Sequence, residues 1–241
     1  MLKKILAILI IFLVPTIVFA EEAVNVQNSS LEEKEILKEQ NIQSRVNNIG
    51  SKLLNANKIE QRVIFVYDKN KKQTLLTIDP TVMSREVVLY DEYYKFIQND
   101  DELAAYLARG ILTAMKSYRG FFNGYLSALQ IKAAPKKFQI VSDKRAVDFM
   151  VNAGYNPLGL ITFIQKSCPQ KRFDTISTQN LASKRLAIIY EYIYTKYPYF
   201  LANNAYIENE HYQNFLLSSQ ENRRMLQEKI KTGSKKELKY E

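Results

Sequence analysis

Apolar residues recur at helical spacing along most of this chain. Over residues 31–57 they follow one another in steps of three, four and seven, which predicts an amphipathic helix with Ser30 as its N-cap. Residues 100–118 carry the strongest apolar stripe, formed by Leu103, Leu107, Ile111, Leu112 and Met115. Similar patterns predict further helices at 121–129, 143–153, 157–165, 181–196 and 208–231, with Asn156 as the N-cap of the helix at 157–165. Within residues 181–196, the side chains expected to face inward are Ile188, Ile189, Tyr192 and Ile193.

Three shorter segments carry β-branched and aromatic residues instead. They span residues 62–67, 73–78 and 86–90, with a polar turn at 68–71 between the first two. Residues 91–99 are expected to form a short helix or a turn. A chain with this order of elements is predicted to be an α+β protein, mostly helical with a small N-terminal β-sheet.

The first twenty residues are typical of a secretory signal peptide. Lys3 and Lys4 precede an apolar run at 5–19, and Val18 and Ala20 occupy the positions that a signal peptidase reads, so we predict cleavage after Ala20. An uncleaved anchor helix is disfavoured because the run is shorter than the roughly 20 residues that a span needs. We therefore expect an exported protein, periplasmic or secreted. The rest divides into a loose segment at 21–30, a domain at 31–196, and a helical C-terminal extension with a basic tail at 197–241.

Charge and composition narrow the range of partners. The chain has a net charge of +9, and its densest run of basic residues is the tail, with Lys229, Lys231, Lys235, Lys236 and Lys239. This run fits either a solvated, frayed tail or contact with an anionic membrane surface, and export makes nucleic acid a poor partner. The sequence contains no glycine-rich phosphate or dinucleotide loop. Cys168 is the only cysteine, so it cannot form an intramolecular disulfide, and we expect it to be buried.

Three separated motifs occur in a fixed order. The sequence D-E-L-A-A-Y-L-A at 101–108 opens the strongest helix, A-G-Y-N-P follows at 153–157, and S-T-Q-N follows at 177–180. Together they resemble the gluzincin metallopeptidases of the prenyl-protease, HtpX and BepA type, whose helices contain D-E-L-A-x-V-L-A-H-E-x-x-H and E-x-x-A-D. The resemblance covers about 31–196 and implies a zincin-like domain. The motif residues retained here are Asp101, Glu102, Leu103, Ala104, Asp143, Gly154, Tyr155, Pro157 and Arg185.

The departures from that family fall on its chemistry. In the H-E-x-x-H motif, two histidines on one helix face bind Zn²⁺ and the glutamate activates a water molecule. The resemblance places Arg109 and Thr113 at the two histidines and Gly110 at that glutamate. It places Gln139 at the glutamate ligand on the next helix and Gln179 at a later histidine. The only histidine in the chain, His211, lies in the C-terminal extension and is expected to be an ordinary surface or packing residue. We therefore predict no catalytic residue, no metal ligand and no bound zinc.

The function expected from this resemblance is that of an inactive metallopeptidase-like protein. It would bind or chaperone envelope or secreted proteins, including unfolded ones, through the retained cleft and an edge strand formed by Glu86, Val87, Val88, Leu89 and Tyr90. Arg109 would either pair with a carboxylate such as Asp143 or contact a partner's carboxylate or backbone carbonyls. The alternatives are a zinc metalloendopeptidase acting through a non-standard site, and a structural or membrane-associated protein of the cell envelope.

Overall fold

The computed structural model describes residues 33–69, 85–116, 134–168 and 181–240. The predicted signal peptide, the loose segment, the strand at 73–78, the helix at 121–129 and Gln179 lie outside these ranges. The chain divides into two compact units, Met1–Ser44 and Arg45–Glu241. All the elements that carry the site belong to the second unit.

The described residues are mostly helical, with one small sheet. Helix α1 covers residues 33–56. The other elements are β1 (Ile64–Asp68), β2 (Glu86–Tyr90), α2 (Asp91–Tyr94), α3 (Asp100–Lys116), α4 (Pro135–Asn152), α5 (Leu158–Ser167), α6 (Ala182–Lys196), α7 (Tyr199–Ala202), α8 (Glu210–Ser218) and α9 (Gln220–Thr232). This confirms the predicted α+β class in its general form.

Strands β1 and β2 pair in parallel, a relation that the sequence pattern did not indicate. The register runs from Ile64 opposite Glu86 to Asp68 opposite Tyr90. The Ile64 N–H donates to the Arg85 carbonyl at 3.1 Å, so residues 85, 87 and 89 direct their backbone groups toward β1. The backbone groups of residues 86, 88 and 90 therefore face the opposite side of β2.

Helix α3 lies at the centre of the core. Leu103, Leu107 and Ile111 have no exposed surface, as predicted from the apolar stripe. The last two members of that stripe, Leu112 and Met115, are only half-buried. Helices α4 and α5 and strand β2 all pack against α3. Side chains on several faces of α3 are therefore in contact with other elements.

Three helix predictions needed correction. The helix predicted at 208–231 is two helices, α8 and α9, which are separated by Ser219. Helix α4 begins at Pro135, eight residues before the predicted start at 143. Proline is well tolerated at the first helical position, because the N–H that it lacks has no partner there in any case. In α6, Ile189 and Ile193 are buried as expected, whereas the Ile188 and Tyr192 side chains are only half-buried.

The A-G-Y-N-P turn joins α4 to α5 and contacts the start of α3. Gly154 has a φ of 75°, the left-handed conformation that glycine adopts most easily after a helix. The Asn156 side chain accepts a hydrogen bond from the Leu158 N–H at 3.0 Å, in agreement with its predicted capping role. The Asn156 N–H donates to Asp101 Oδ1 at 2.8 Å. Two of the sequence motifs are therefore in direct contact.

The C-terminal extension packs against the helices that precede it. Helix α8 packs against α5, and α9 packs against α6. Tyr240 is buried and donates a hydrogen bond to Glu191 at 2.9 Å, while Lys229 pairs with the same carboxylate at 2.8 Å. The tail is thus anchored on α6 by Lys229 and Tyr240, whereas Lys231, Lys235, Lys236 and Lys239 are exposed to solvent. No helix among the described residues is long and apolar enough to cross a bilayer.

Candidate functional site

Four of the five positions that the sequence resemblance matches to the family's zinc site can be located. Arg109, Gly110 and Thr113 lie on α3, and Gln139 lies on α4, the helix that packs against it. Gln179 is the fifth position and falls outside the described ranges. The packing of α3 on α4 therefore brings together two of the helices that the sequence motifs had indicated.

An ionic cluster links these two helices to α6. Asp143 on α4 is 1% exposed and accepts two hydrogen bonds from Arg185, from Nε to Oδ2 at 2.8 Å and from Nη2 to Oδ1 at 2.9 Å. This bidentate geometry is the strongest form of an arginine–carboxylate pair. Burial alone would lower the pKa of Arg185, but the charge and hydrogen bonds of Asp143 raise it overall. Asp143 and Arg185 therefore form a well-made buried ion pair.

Arg109 is a second cation on the same carboxylate, so the predicted pairing with Asp143 is confirmed. Its Nε lies 2.8 Å from Asp143 Oδ1, and 28% of its side chain is exposed. The Nε is nevertheless buried without a hydrogen-bond partner, which means that its N–H does not point at that oxygen. The contact is one of charge rather than an aligned hydrogen bond. Burial lowers the pKa of Arg109, Asp143 opposes this shift, and the like charge of Arg185 adds to it.

Gly110, which the sequence resemblance places at the family's general base, is packed directly against β2. A Cβ atom placed on Gly110 would lie 2.3 Å from Val87 Cγ1. Real Cβ atoms essentially never show such a contact. Val87 is only 1% exposed and its branched side chain is stiff, so it cannot move aside easily. The Val87 side chain therefore already occupies the space that a side chain larger than glycine would need at position 110.

The other two positions do not supply zinc ligands either. The Thr113 hydroxyl donates to the Arg109 carbonyl of its own helix at 3.2 Å. Gln139 is buried and carries a neutral amide, which is a weak substitute for a carboxylate ligand. Within the described ranges, no three His, Cys, Asp or Glu side chains lie close enough together to hold a metal ion. The residues present at this site do not fit zinc.

Cys168 lies at the edge of the ionic cluster. Arg185 Nη1 donates a hydrogen bond to its sulfur at 3.3 Å. The cysteine is only half-buried, so the prediction that it would be buried was wrong. Its neighbour is a charged guanidinium rather than apolar packing, because α6 brings Arg185 to the end of α5.

The sequence analysis missed a second ionic cluster, which lies seven residues earlier on α3. Glu102 has no exposed surface, and Lys166 Nζ lies 2.6 Å from Oε1 and 2.7 Å from Oε2. The Thr162 hydroxyl and the Gln98 N–H each donate to the same carboxylate at 2.7 Å. The sequence had singled out Glu102 only as a retained residue of the D-E-L-A motif. Its position seven residues before Arg109, on the same helix face, was the signal for a second charged group in the core.

The predicted edge strand is β2, and part of its outer side is already occupied. The Tyr106 hydroxyl donates to the Val88 carbonyl at 2.7 Å, on the side that faces away from β1. The Tyr106 ring packs edge-on against Phe163, with ring centroids 5.8 Å apart. A strand that joined this side of β2 would have to displace the Tyr106 hydroxyl.

Comparison with known proteins adds no relative to this picture. No protein-family model, no curated protein and no solved structure matches the chain.

Proposed function

We propose that this protein is a catalytically inactive, metallopeptidase-like protein that binds extended segments of exported proteins in the cell envelope. The proposal combines the order of the three sequence motifs with the contents of the site on α3 and α4. The observation that carries it is the contact between Gly110 and Val87. Where the family has a general-base carboxylate, a Cβ atom would lie 2.3 Å from a buried valine methyl group.

The charge at the site supports the same conclusion. A catalytic zinc site needs neutral imidazoles and carboxylates around an open coordination position. Here Arg109 brings a permanent positive charge to the first ligand position, and Asp143 holds it there at 2.8 Å. A dication at that place would be repelled by the guanidinium. Peptide hydrolysis by the family's mechanism is therefore not expected, whereas binding needs only a cleft and suitable contacts.

The first experiment tests the absence of catalysis. Purified protein beginning at Glu21 should contain well under one zinc ion per chain, and a chelator should leave its melting temperature unchanged. Incubation with reduced and carbamidomethylated lysozyme and added Zn²⁺ should leave that unfolded substrate intact by mass spectrometry. Cleavage that a chelator stops, or a stoichiometric zinc whose removal lowers the melting temperature, would contradict the proposal.

The second experiment tests binding and its mode. Fluorescently labelled, reduced and carbamidomethylated lysozyme should bind the protein in an anisotropy titration. If a segment pairs with the outer side of β2, Tyr106→Phe should tighten binding by about two- to tenfold, because it frees the Val88 carbonyl while keeping the ring. Tyr197→Phe is the matched control, since it removes a hydroxyl that donates to Asp148 instead.

The possible results separate the parts of the proposal. Binding that Tyr106→Phe does not change would show that this edge of β2 is not the contact. Absence of any binding to the unfolded chain would contradict the proposed function itself.

A further inference from the structure

We infer that Arg109 is a recognition point for a carboxylate group of the bound polypeptide. This inference rests on the proposed function, because it names the chemistry by which a bound segment would be held. It begins with the charge of the cluster formed by Arg109, Asp143 and Arg185. Two guanidinium groups contact one carboxylate, so these three side chains carry one positive charge in excess.

The hydrogen bonds show which of the two arginines is under-used. Arg185 satisfies Asp143 with two aligned bonds and also donates to Cys168. Arg109 adds a close charge contact, but its buried Nε has no hydrogen-bond partner. A buried donor without an acceptor is costly and calls for an explanation. Arg185 therefore holds both oxygens of Asp143 with aligned bonds, and Arg109 retains donors for another acceptor.

The unsatisfied atoms are concentrated at this place. Among the described residues, the buried side-chain polar atoms without a hydrogen bond are Arg109 Nε and Ser142 Oγ. Ser142 directly precedes Asp143 on α4. Of the Arg109 nitrogens, only Nε is one of these buried atoms, and 28% of the whole side chain is exposed, so a group from solvent can reach the guanidinium at Nη1 and Nη2.

A carboxylate is the anion that fits best. It carries one negative charge, which balances the excess charge of the cluster. Its two oxygens match the planar fork of a guanidinium, whereas a point cation such as lysine lacks that geometry. An extended polypeptide offers carboxylates from two sources, its C-terminal group and its acidic side chains.

The experiment uses three labelled peptides of one apolar-polar sequence. The first has a free C-terminal carboxylate and no acidic side chain, the second has a C-terminal amide, and the third has the amide and one central Asp. At least one of the two carboxylate peptides should bind about tenfold more tightly than the neutral amide peptide. Preference for the first identifies the C-terminal group as the source, and preference for the third identifies the side chain.

Substitutions then assign the preference to Arg109. Arg109→Gln should abolish the difference between the peptides, and Arg109→Lys should restore only part of it. Arg145→Gln is the control, because Arg145 is an exposed arginine on α4 in a loose 3.8 Å contact with Asp148. Circular dichroism would verify that each variant is folded.

The outcomes distinguish this inference from the proposed function. Equal binding of all three peptides to the unsubstituted protein would overturn the carboxylate inference and leave the proposed function standing. A carboxylate preference that survives in Arg109→Gln would also overturn it. Failure of every peptide and of the unfolded lysozyme chain to bind would overturn both.

Discussion

Two ionic clusters lie seven residues apart on the same helix, and they are built in opposite ways. Around Glu102, one carboxylate meets one ammonium group, and a hydroxyl and a backbone N–H donate to its oxygens as well. Around Asp143, one carboxylate meets two guanidinium groups, and one of these keeps an unpaired donor. The first cluster is balanced in charge and in hydrogen bonds, whereas the second has an excess of both charge and donors.

We assign a structural role to the first cluster and propose a binding role for the second. Burying an ion pair gains little stability over apolar packing, but removing one partner is severe because the other charge remains buried. The Glu102 cluster, with no surface on its carboxylate, has no access for a ligand and serves to join α3 to α5. We propose that the excess charge on the part-exposed Arg109 serves instead to bind another anion.

The largest expected change in stability follows from removing the positive charge that pairs with Glu102. Lys166→Met should lower the free energy of unfolding by about 3–5 kcal/mol, because it leaves a fully buried carboxylate without its counter-charge. Urea unfolding of the protein beginning at Glu21 measures this change. Adding Glu102→Gln to Lys166→Met should recover much of the loss, since the remaining side chains are neutral. A loss below about 1 kcal/mol for Lys166→Met would mean that the pair is not the structural link described here.

An apolar residue between the two clusters provides a reference for the size of the changes in unfolding free energy. Leu107 has no exposed surface on α3, and Leu107→Ala should cost about 2–5 kcal/mol through lost burial and the cavity left behind. The half-buried Leu112 on the same helix is the matched control, and Leu112→Ala should cost less. Equal denaturant midpoints for the two variants would contradict the central position assigned to α3.

The packing beside the second cluster gives the next effect. Gly110→Ala should destabilise the protein by about 1–3 kcal/mol, because its new methyl group would overlap Val87. Alanine normally stabilises a helix by about 0.5–1 kcal/mol relative to glycine, so the sign of the change is diagnostic. With Val87→Ala in the background, the same substitution should cost much less. A more stable Gly110→Ala variant would show that the valine does not occupy this space.

The smallest change in stability is expected from substitution of Arg109, the cation in excess. Arg109→Gln should change the free energy of unfolding by less than about 1 kcal/mol, because Asp143 keeps both hydrogen bonds from Arg185. Arg185→Gln is the matched control on the same carboxylate and should cost about 3–5 kcal/mol. If the two variants lost equal stability, the two arginines would share one structural role and the comparison between the clusters would fail.

Several features of the site were foreseeable because they depend on short-range patterns. The stripe of Leu103, Leu107 and Ile111 indicated the buried face of α3, and the position of Asp143 made it a candidate partner for Arg109. The capping role of Asn156 followed from its place before Pro157 at a helix start. Each of these inferences needed only the local sequence or the helical repeat.

The sequence by itself determined the helical character of the chain, its small sheet and its supply of a single histidine. Only the tertiary structure decided which charges meet and which space is filled. Lys166 reaches Glu102 across 64 residues, and Val87 comes to lie against Gly110 from a different element. The physical reason is that periodicity and caps act within a few residues, whereas ion pairs and steric contacts depend on how helices and strands pack. That packing, rather than any local motif, left Arg109 as the cation without a full partner.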